Sequence, residues 1–118
     1  NATRVGVQVG RSEDGRELTS LYYDVPKQAL SFDETRSSIG FGRKIVEEGP
    51  LKLAKGELLT LRVFVDKSII EVYANDKQAI ARNVYPQLGG TGIRLFAEGG
   101  NVKVHSVKAW ELMPANPY

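Results

Sequence analysis

The sequence predicts an all-β fold, an antiparallel sandwich of two sheets of the jelly-roll or concanavalin-like type. Apolar and polar residues alternate with the period of two that a half-buried strand shows, as at Val5, Val7 and Val9. Turn-forming residues recur at a spacing of roughly 8–12 residues, and no substantial helix is predicted. Such short, evenly spaced strands are typical of a two-sheet sandwich, with a closed barrel as the alternative architecture.

The first half of the chain is predicted to contain three strands and one long loop. The predicted strands are Thr3–Val9, Leu18–Val25 and Ala29–Asp33. A turn over Ser12–Gly15 separates the first two, and Pro26 ends the second because proline has no N–H to donate to a sheet. Glu34–Gly49 lacks a sustained period and is predicted as the longest loop, with a short strand around Lys44–Val46.

The second half of the chain is predicted to contain five strands. They are Leu59–Asp66, Ile69–Asn75, Gln78–Tyr85, Gly92–Ala97 and Val102–Leu112, the last of which contains Trp110. Turns are expected at Asp66–Ser68 and at Asn75-Asp76, where both side chains tolerate left-handed backbone. We expect one domain over residues 1–113 and a tail over residues 114–118.

Composition excludes several classes of function. The 118 residues carry 16 basic and 14 acidic side chains, a balance too even for the positive surface that nucleic acid requires. No apolar run approaches the roughly 20 residues that cross a bilayer, so we expect neither a nucleic-acid nor a membrane partner. The chain has no cysteine, which excludes disulfides, thiolate nucleophiles and thiolate zinc sites. We expect no cofactor and no metal.

The sequence offers no convincing catalytic residues. His105 is the only histidine, so it has no second histidine or cysteine with which to bind a metal, and a serine triad has no other base to use. Asp33, Asp66 and Glu71 lie beside or within predicted strands, where two carboxylates could in principle act on a sugar as acid and base. Carboxylates on a solvated sheet face need no such function, and we predict a non-catalytic chain.

Glu71 is the most informative carboxylate. Alternation places Glu71 and Tyr73 on one face of their strand, with the apolar side chains of Ile70 and Val72 on the other. A carboxylate beside an aromatic ring can bind a sugar through its hydroxyl groups and its C–H surface. The alternative is a structural salt bridge from Glu71 to Arg62, Arg82 or Lys67 on neighbouring strands.

Several ordered motifs resemble the C-terminal domain of glycoside hydrolase family 32. In the segment Leu61–Asp76, a strand ends in Val-Asp and is followed by a Ser and then by Glu-Val-Tyr-Ala-Asn, as in a hairpin of that family. Further matching segments are Tyr23-Asp24, Phe32–Ser37, Val84–Pro86, Gly92–Gly100 and Val107–Leu112. Together these motifs span most of the chain.

The resemblance implies both an architecture and a set of candidate site residues. Members of the family are invertases, inulinases, levanases and related fructosyl-transferring enzymes, in which a catalytic β-propeller precedes a β-sandwich. Related sandwiches occur as family 66 carbohydrate-binding modules. By that relation, the residues that would bind a terminal fructose are Asp33, Arg36, Asp66, Glu71 and Tyr73. The same charged side chains could instead form an internal Asp33–Arg36 or Arg–Glu71 network that stabilises the hairpin.

Two departures from the family pattern decide what we expect of this chain. The propeller motifs that hold the catalytic carboxylates are absent, and the chain begins later than the family's sandwich usually does, as if it lacked one or more opening strands. We expect either a structural domain that packs on a β-propeller or a fructan-binding module. The fructan-degrading role favours a secreted or periplasmic protein.

Overall fold

The computed structural model describes residues 2–40, 42, 44–66, 68–100 and 103. They form eight strands: β1 (Arg4–Arg11), β2 (Thr19–Asp24), β3 (Ala29–Asp33), β4 (Val46–Pro50), β5 (Leu61–Asp66), β6 (Ile69–Ala74), β7 (Gln78–Asn83) and β8 (Gly92–Glu98). Among these described residues there is no helix, and hence none of the kind that could span a membrane.

The strands form two antiparallel sheets, which confirms the predicted sandwich. One sheet has five strands in the order β4-β3-β2-β1-β8, and the other has three in the order β5-β6-β7. Within each sheet, β1 to β4 and β5 to β7 pair with their sequence neighbours, so both sheets are largely meanders. β8 returns to pair with β1.

The hydrophobic core lies between the two sheets and follows the two-residue period. Leu30 and Phe32 of β3 and Val72 of β6 are fully buried, and they share one cluster with Leu21 and Ile70. Burial of such side chains contributes about 1.5 to 3 kcal/mol each. The alternation of β6 therefore directs Glu71 and Tyr73 away from the core, as predicted.

Gly6 leaves room for two aromatic side chains to meet on the face of the five-stranded sheet that points away from the core. Gly6 of β1 lies between Tyr22 on β2 and Phe96 on β8. A Cβ at Gly6 would lie 2.6 Å from the Tyr22 Cβ, so no larger residue fits there. Across this gap the Tyr22 and Phe96 rings meet edge to face, with 6.0 Å between their centroids.

Two predicted elements need correction. The loop predicted over Glu34–Gly49 is shorter, because β4 occupies Val46–Pro50 and replaces the short strand expected at Lys44–Val46. β4 is an edge strand, where Pro50 is tolerated. The strand predicted over Gln78–Tyr85 ends at Asn83. The predictions for Val102–Leu112, His105, Trp110 and the tail concern residues that lie outside the described part, apart from Lys103.

The hairpin between β6 and β7 turns as the sequence predicted. Asn75 and Asp76 both have φ of 52°, and the N–H of Lys77 donates to the carbonyl of Ala74 at 2.9 Å. Two successive left-handed residues are typical of a type I′ turn, whose twist matches that of the flanking strands. This turn fixes the register that brings the candidate side chains of β5 and β6 together.

Candidate functional site

Glu71 and Tyr73 lie together on the outer face of the three-stranded sheet. In the register of β5 and β6, Phe64 is opposite Glu71 and Arg62 is opposite Tyr73. Glu71 and Tyr73 are half-buried, and the Tyr73 hydroxyl donates to Glu71 Oε2 at 3.2 Å. The sequence-predicted pair is therefore a contacting pair.

The ring of Tyr73 makes two further contacts on this face. The Phe64 ring meets it edge to face at 5.8 Å between centroids, and the Arg62 guanidinium carbon lies 5.7 Å from its centroid, within cation–π range. The hydrogen bond to Glu71 and the negative charge of that carboxylate raise the pKa of Tyr73. The ring thus already has neighbours on this surface.

Asp33 and Arg36 each bind a neighbouring segment of the chain. Asp33 Oδ1 accepts hydrogen bonds from the N–H of Thr35 at 2.9 Å and from its hydroxyl at 2.6 Å. Arg36 Nη2 donates to the carbonyl of Gly15. The alternative Asp33–Arg36 pairing is not formed, because Asp33 binds Thr35 and Arg36 binds Gly15 instead.

The five predicted sugar-binding residues do not form one cluster through their contacts. Asp66 is exposed at the end of β5, opposite Ile69, and Asp33 ends β3 in the other sheet. Within the part of the chain that the structure describes, Tyr73 and Glu71 are the one pair of them joined by a hydrogen bond or a salt bridge.

The alternative salt bridges from Glu71 to Arg62 and Arg82 are not formed either. Arg62 pairs with Asp76 in the turn, and Arg82 pairs with Glu47 of β4, which links the two sheets. Lys67, the third expected partner, lies outside the described residues. Arg82 is opposite Ile70 on the core-facing side of β7, whereas Glu71 is on the outer face. The two side chains are therefore on opposite faces of the sheet.

The most strongly constrained carboxylate is Glu17, which the sequence did not single out. Glu17 has no exposed surface. Its Oε2 accepts from the N–H of Ile39 at 2.8 Å and from the N–H of Gln87 at 2.9 Å, and its Oε1 accepts from the N–H of Leu88 at 2.9 Å. One buried carboxylate therefore joins three segments of the chain.

The charge of Glu17 is stabilised where it lies. Burial alone raises the pKa of a carboxyl group, but the N–H donors of Gln87, Leu88 and Ile39 and the positive charge of Lys44 outweigh that effect. The pKa of Glu17 is lowered overall. Glu17 is therefore an ionised structural anchor near neutral pH, and its own oxygens are already occupied by backbone donors.

Sequence reasoning had no signal with which to find Glu17. Its partners are backbone N–H groups that lie 22 and 70 residues further along the chain. Every residue except proline has such a group, so residue type does not identify which ones bind Glu17. The described residues also contain no group of three or more side chains suited to hold a metal ion.

Comparison with known proteins identifies related domains. The family model described as Glycosyl hydrolases family 32 C terminal matches residues 1–111. A levanase of Bacillus subtilis is 32% identical over 128 residues, which cover 97% of this chain and 18% of the levanase. A sucrose-6-phosphate hydrolase of Zymomonas mobilis is 29% identical over 121 residues, which cover 98% of this chain and 23% of that enzyme.

A solved structure shares the fold. The crystal structure of an exo-inulinase from Aspergillus awamori superposes with a TM-score of 0.76 and 27% sequence identity, over 85% of this chain and 20% of that one. The chain thus spans about a fifth of the length of the relatives that it matches.

Proposed function

Because this chain belongs to the family of glycosyl hydrolase family 32 C-terminal domains, we propose that it is a non-catalytic β-sandwich that supports the catalytic β-propeller of a larger enzyme. The parent enzyme would be a β-fructosidase that hydrolyses the O-glycosyl bonds of a fructan or of sucrose. The relatives named levanase, sucrose-6-phosphate hydrolase and exo-inulinase suggest this substrate class.

The observation that carries this proposal is the way the chain aligns with its relatives. Almost the whole chain, 97% and 98% of it, matches only 18% and 23% of two curated enzymes. The greater part of each enzyme therefore lies outside the match and has room for a catalytic domain. An accessory domain is the simplest role for such a segment.

The carboxylates of the described residues support a non-catalytic role. A glycosidase of the usual kind needs two carboxyl groups about 5 to 9.5 Å apart on either side of the scissile bond. Asp33 is bonded to Thr35, Glu17 is buried under backbone donors, and Glu71 accepts from Tyr73 on the other sheet. Each of these three carboxylates is engaged by a local partner rather than held open for a substrate.

Direct binding of fructan is the second candidate function, and one feature favours it. The Glu71–Tyr73 pair presents a carboxylate and a ring on the outer face of the three-stranded sheet. The local contacts of Asp33 and Arg36 count against a shared fructose site, and kinship with family 66 modules stays a prediction. Titration calorimetry with levan, inulin and fructose decides this: heat that is lost in Glu71→Ala would establish binding.

The supporting role is tested by cutting the parent enzyme between its domains. A specific protease site is inserted in the full-length enzyme between the catalytic part and the whole of the sandwich, ahead of any sandwich strand that precedes residue 1, and the cleaved protein is passed over a size-exclusion column. We expect the two parts to elute together and to keep the activity of the uncut enzyme. Separation of the parts with full activity and unchanged heat resistance in the catalytic part would refute the proposal.

A further inference from the structure

Three large apolar side chains are exposed beside the buried Glu17 carboxylate. Ile39 is 48% exposed, Tyr85 45% and Leu88 37%. Ile39 follows β3 and the other two follow β7, yet the N–H groups of Ile39 and Leu88 donate to the same carboxylate. The two segments therefore lie side by side, and we call their three exposed side chains the Glu17 platform.

The backbone beneath the platform is firmly fixed. The N–H of Gln87 also donates to Glu17, so both oxygens of the carboxylate are used. A Cβ at Gly90 would lie 2.5 Å from backbone atoms of Arg11 and Ser12, which shows how closely this segment packs on the end of β1. Burying a charged group costs several kcal/mol unless donors compensate it. The platform is therefore pre-organised rather than a loose loop surface.

A second exposed apolar surface has a different character. Ile93 is 62% exposed and Leu95 47%, and both are on β8, where Leu95 is paired with the core residue Val7. They belong to the inner face of the five-stranded sheet, at the edge strand β8. Such a surface suits a further strand of a sandwich. The platform lies on non-strand segments, and it suits the surface of a folded partner.

We propose that the Glu17 platform is the surface on which the catalytic domain of the parent enzyme docks. The inference rests on the proposed function and adds the place of contact. The relatives contain about four-fifths of their length beyond the matched segment in the same polypeptide.

The chemistry of the platform defines what the partner must present. Its centre is aliphatic and aromatic, and the charge of Glu17 is fully buried and screened by its donors, so the partner needs an apolar patch at the centre. The exposed Lys44 and Arg36 lie on the segment around Ile39 and favour carboxylates at the rim of that patch. An apolar centre with a polar rim is the usual composition of a domain interface.

The test uses the full-length parent enzyme with the same protease site between the catalytic part and the sandwich. The double variant Ile39→Ser/Leu88→Ser removes two platform side chains, and each single variant is made as well. Val25→Ser is the matched control, because Val25 is also exposed, at 42%. Val25 follows β2, and its N–H donates to the carbonyl of Thr3 just before β1 begins. It therefore lies at the end of β1 opposite to the platform. The thermal midpoint of each isolated 118-residue chain is measured to show that the substitutions leave the sandwich folded.

We expect the cut double variant to separate on the column where the unmodified and Val25→Ser proteins stay together. Its association should weaken about a hundredfold, since truncation of each interface anchor typically costs about tenfold or more. If the double variant stays associated like the control, the platform is not the interface, although the supporting role stands. If the unmodified parts separate as well, the inference fails, and the proposed function fails with it when the separated catalytic part keeps full activity and heat resistance.

Discussion

Replacement of Glu17 by glutamine perturbs the most constrained polar group of the described structure. The carboxylate receives the N–H groups of Ile39, Gln87 and Leu88. Hydrogen bonds to a charged group contribute about 1.5 to 3 kcal/mol each. In Glu17→Gln one oxygen acceptor remains, but the amide NH2 group takes the place of the other oxygen. At least one of these N–H groups then faces another donor and has no acceptor. We expect the free energy of unfolding to fall by about 2 to 4 kcal/mol.

Urea unfolding of the 118-residue chain at pH 7 measures this loss. Glu13→Gln is the control, because Glu13 is an exposed carboxylate in the turn that precedes Glu17. Amide hydrogen exchange should show faster exchange at Ile39 and Leu88 in Glu17→Gln than in the control. A Glu17→Gln chain that is as stable as Glu13→Gln would refute the reasoning that the buried carboxylate holds these segments.

The pH dependence gives an independent check on the same residue. The pKa of Glu17 in the folded chain lies below its ordinary value of 4.5, so the unfolded chain takes up a proton first as pH falls. The stabilisation is complete above that ordinary value and is lost as pH falls through the folded pKa. The stability difference between the unmodified chain and Glu17→Gln should therefore shrink below pH 4.5. A difference that stays constant into strong acid would contradict the assignment.

Two other substitutions test neighbouring features. Gly90→Ala should destabilise the chain by about 1 to 3 kcal/mol, since its Cβ would meet rigid backbone of Arg11 and Ser12 at 2.5 Å. Urea unfolding of Gly89→Ala gives a comparison in which the cost comes from the left-handed φ of 63° and not from a clash, because a Cβ there meets nothing within 4 Å. Glu71→Gln should lower the pKa of Tyr73 towards its ordinary value of 10.0, which ultraviolet titration of the phenol detects; an equal shift in Asp66→Asn would show that the effect is not specific to the hydrogen bond.

The fold was largely predictable because its strands obey the two-residue period. Ile70 and Val72 face the core and Glu71 faces outward, as alternation requires. The bounds of β4 were not predicted correctly, because β4 is an edge strand. Its residues include Glu47, Glu48 and Pro50, and only Gly49 is buried. A strand that packs on the core along little of its length leaves a weak hydrophobic pattern.

The site was less predictable because polar contacts depend on tertiary placement. The Glu71–Tyr73 pair was found, since both residues occupy one face of one strand. Arg36 was considered as a contact for fructose or as a partner of Asp33, but it reaches the carbonyl of Gly15, 21 residues earlier in the chain. Glu17 binds backbone groups of segments that only the fold brings near. Residue type and spacing carry no information about such partners.

The central claim is that this domain supports a catalytic domain without catalysing a reaction itself. The most direct measurement adds the purified 118-residue chain to the catalytic part of the parent enzyme, produced on its own without this domain, and follows heat inactivation of fructoside hydrolysis. The account predicts that the chain alone hydrolyses neither levan, inulin nor sucrose, and that adding it prolongs the half-life of the catalytic part. Hydrolysis by the chain alone, or an unchanged half-life at saturating chain, would contradict the claim.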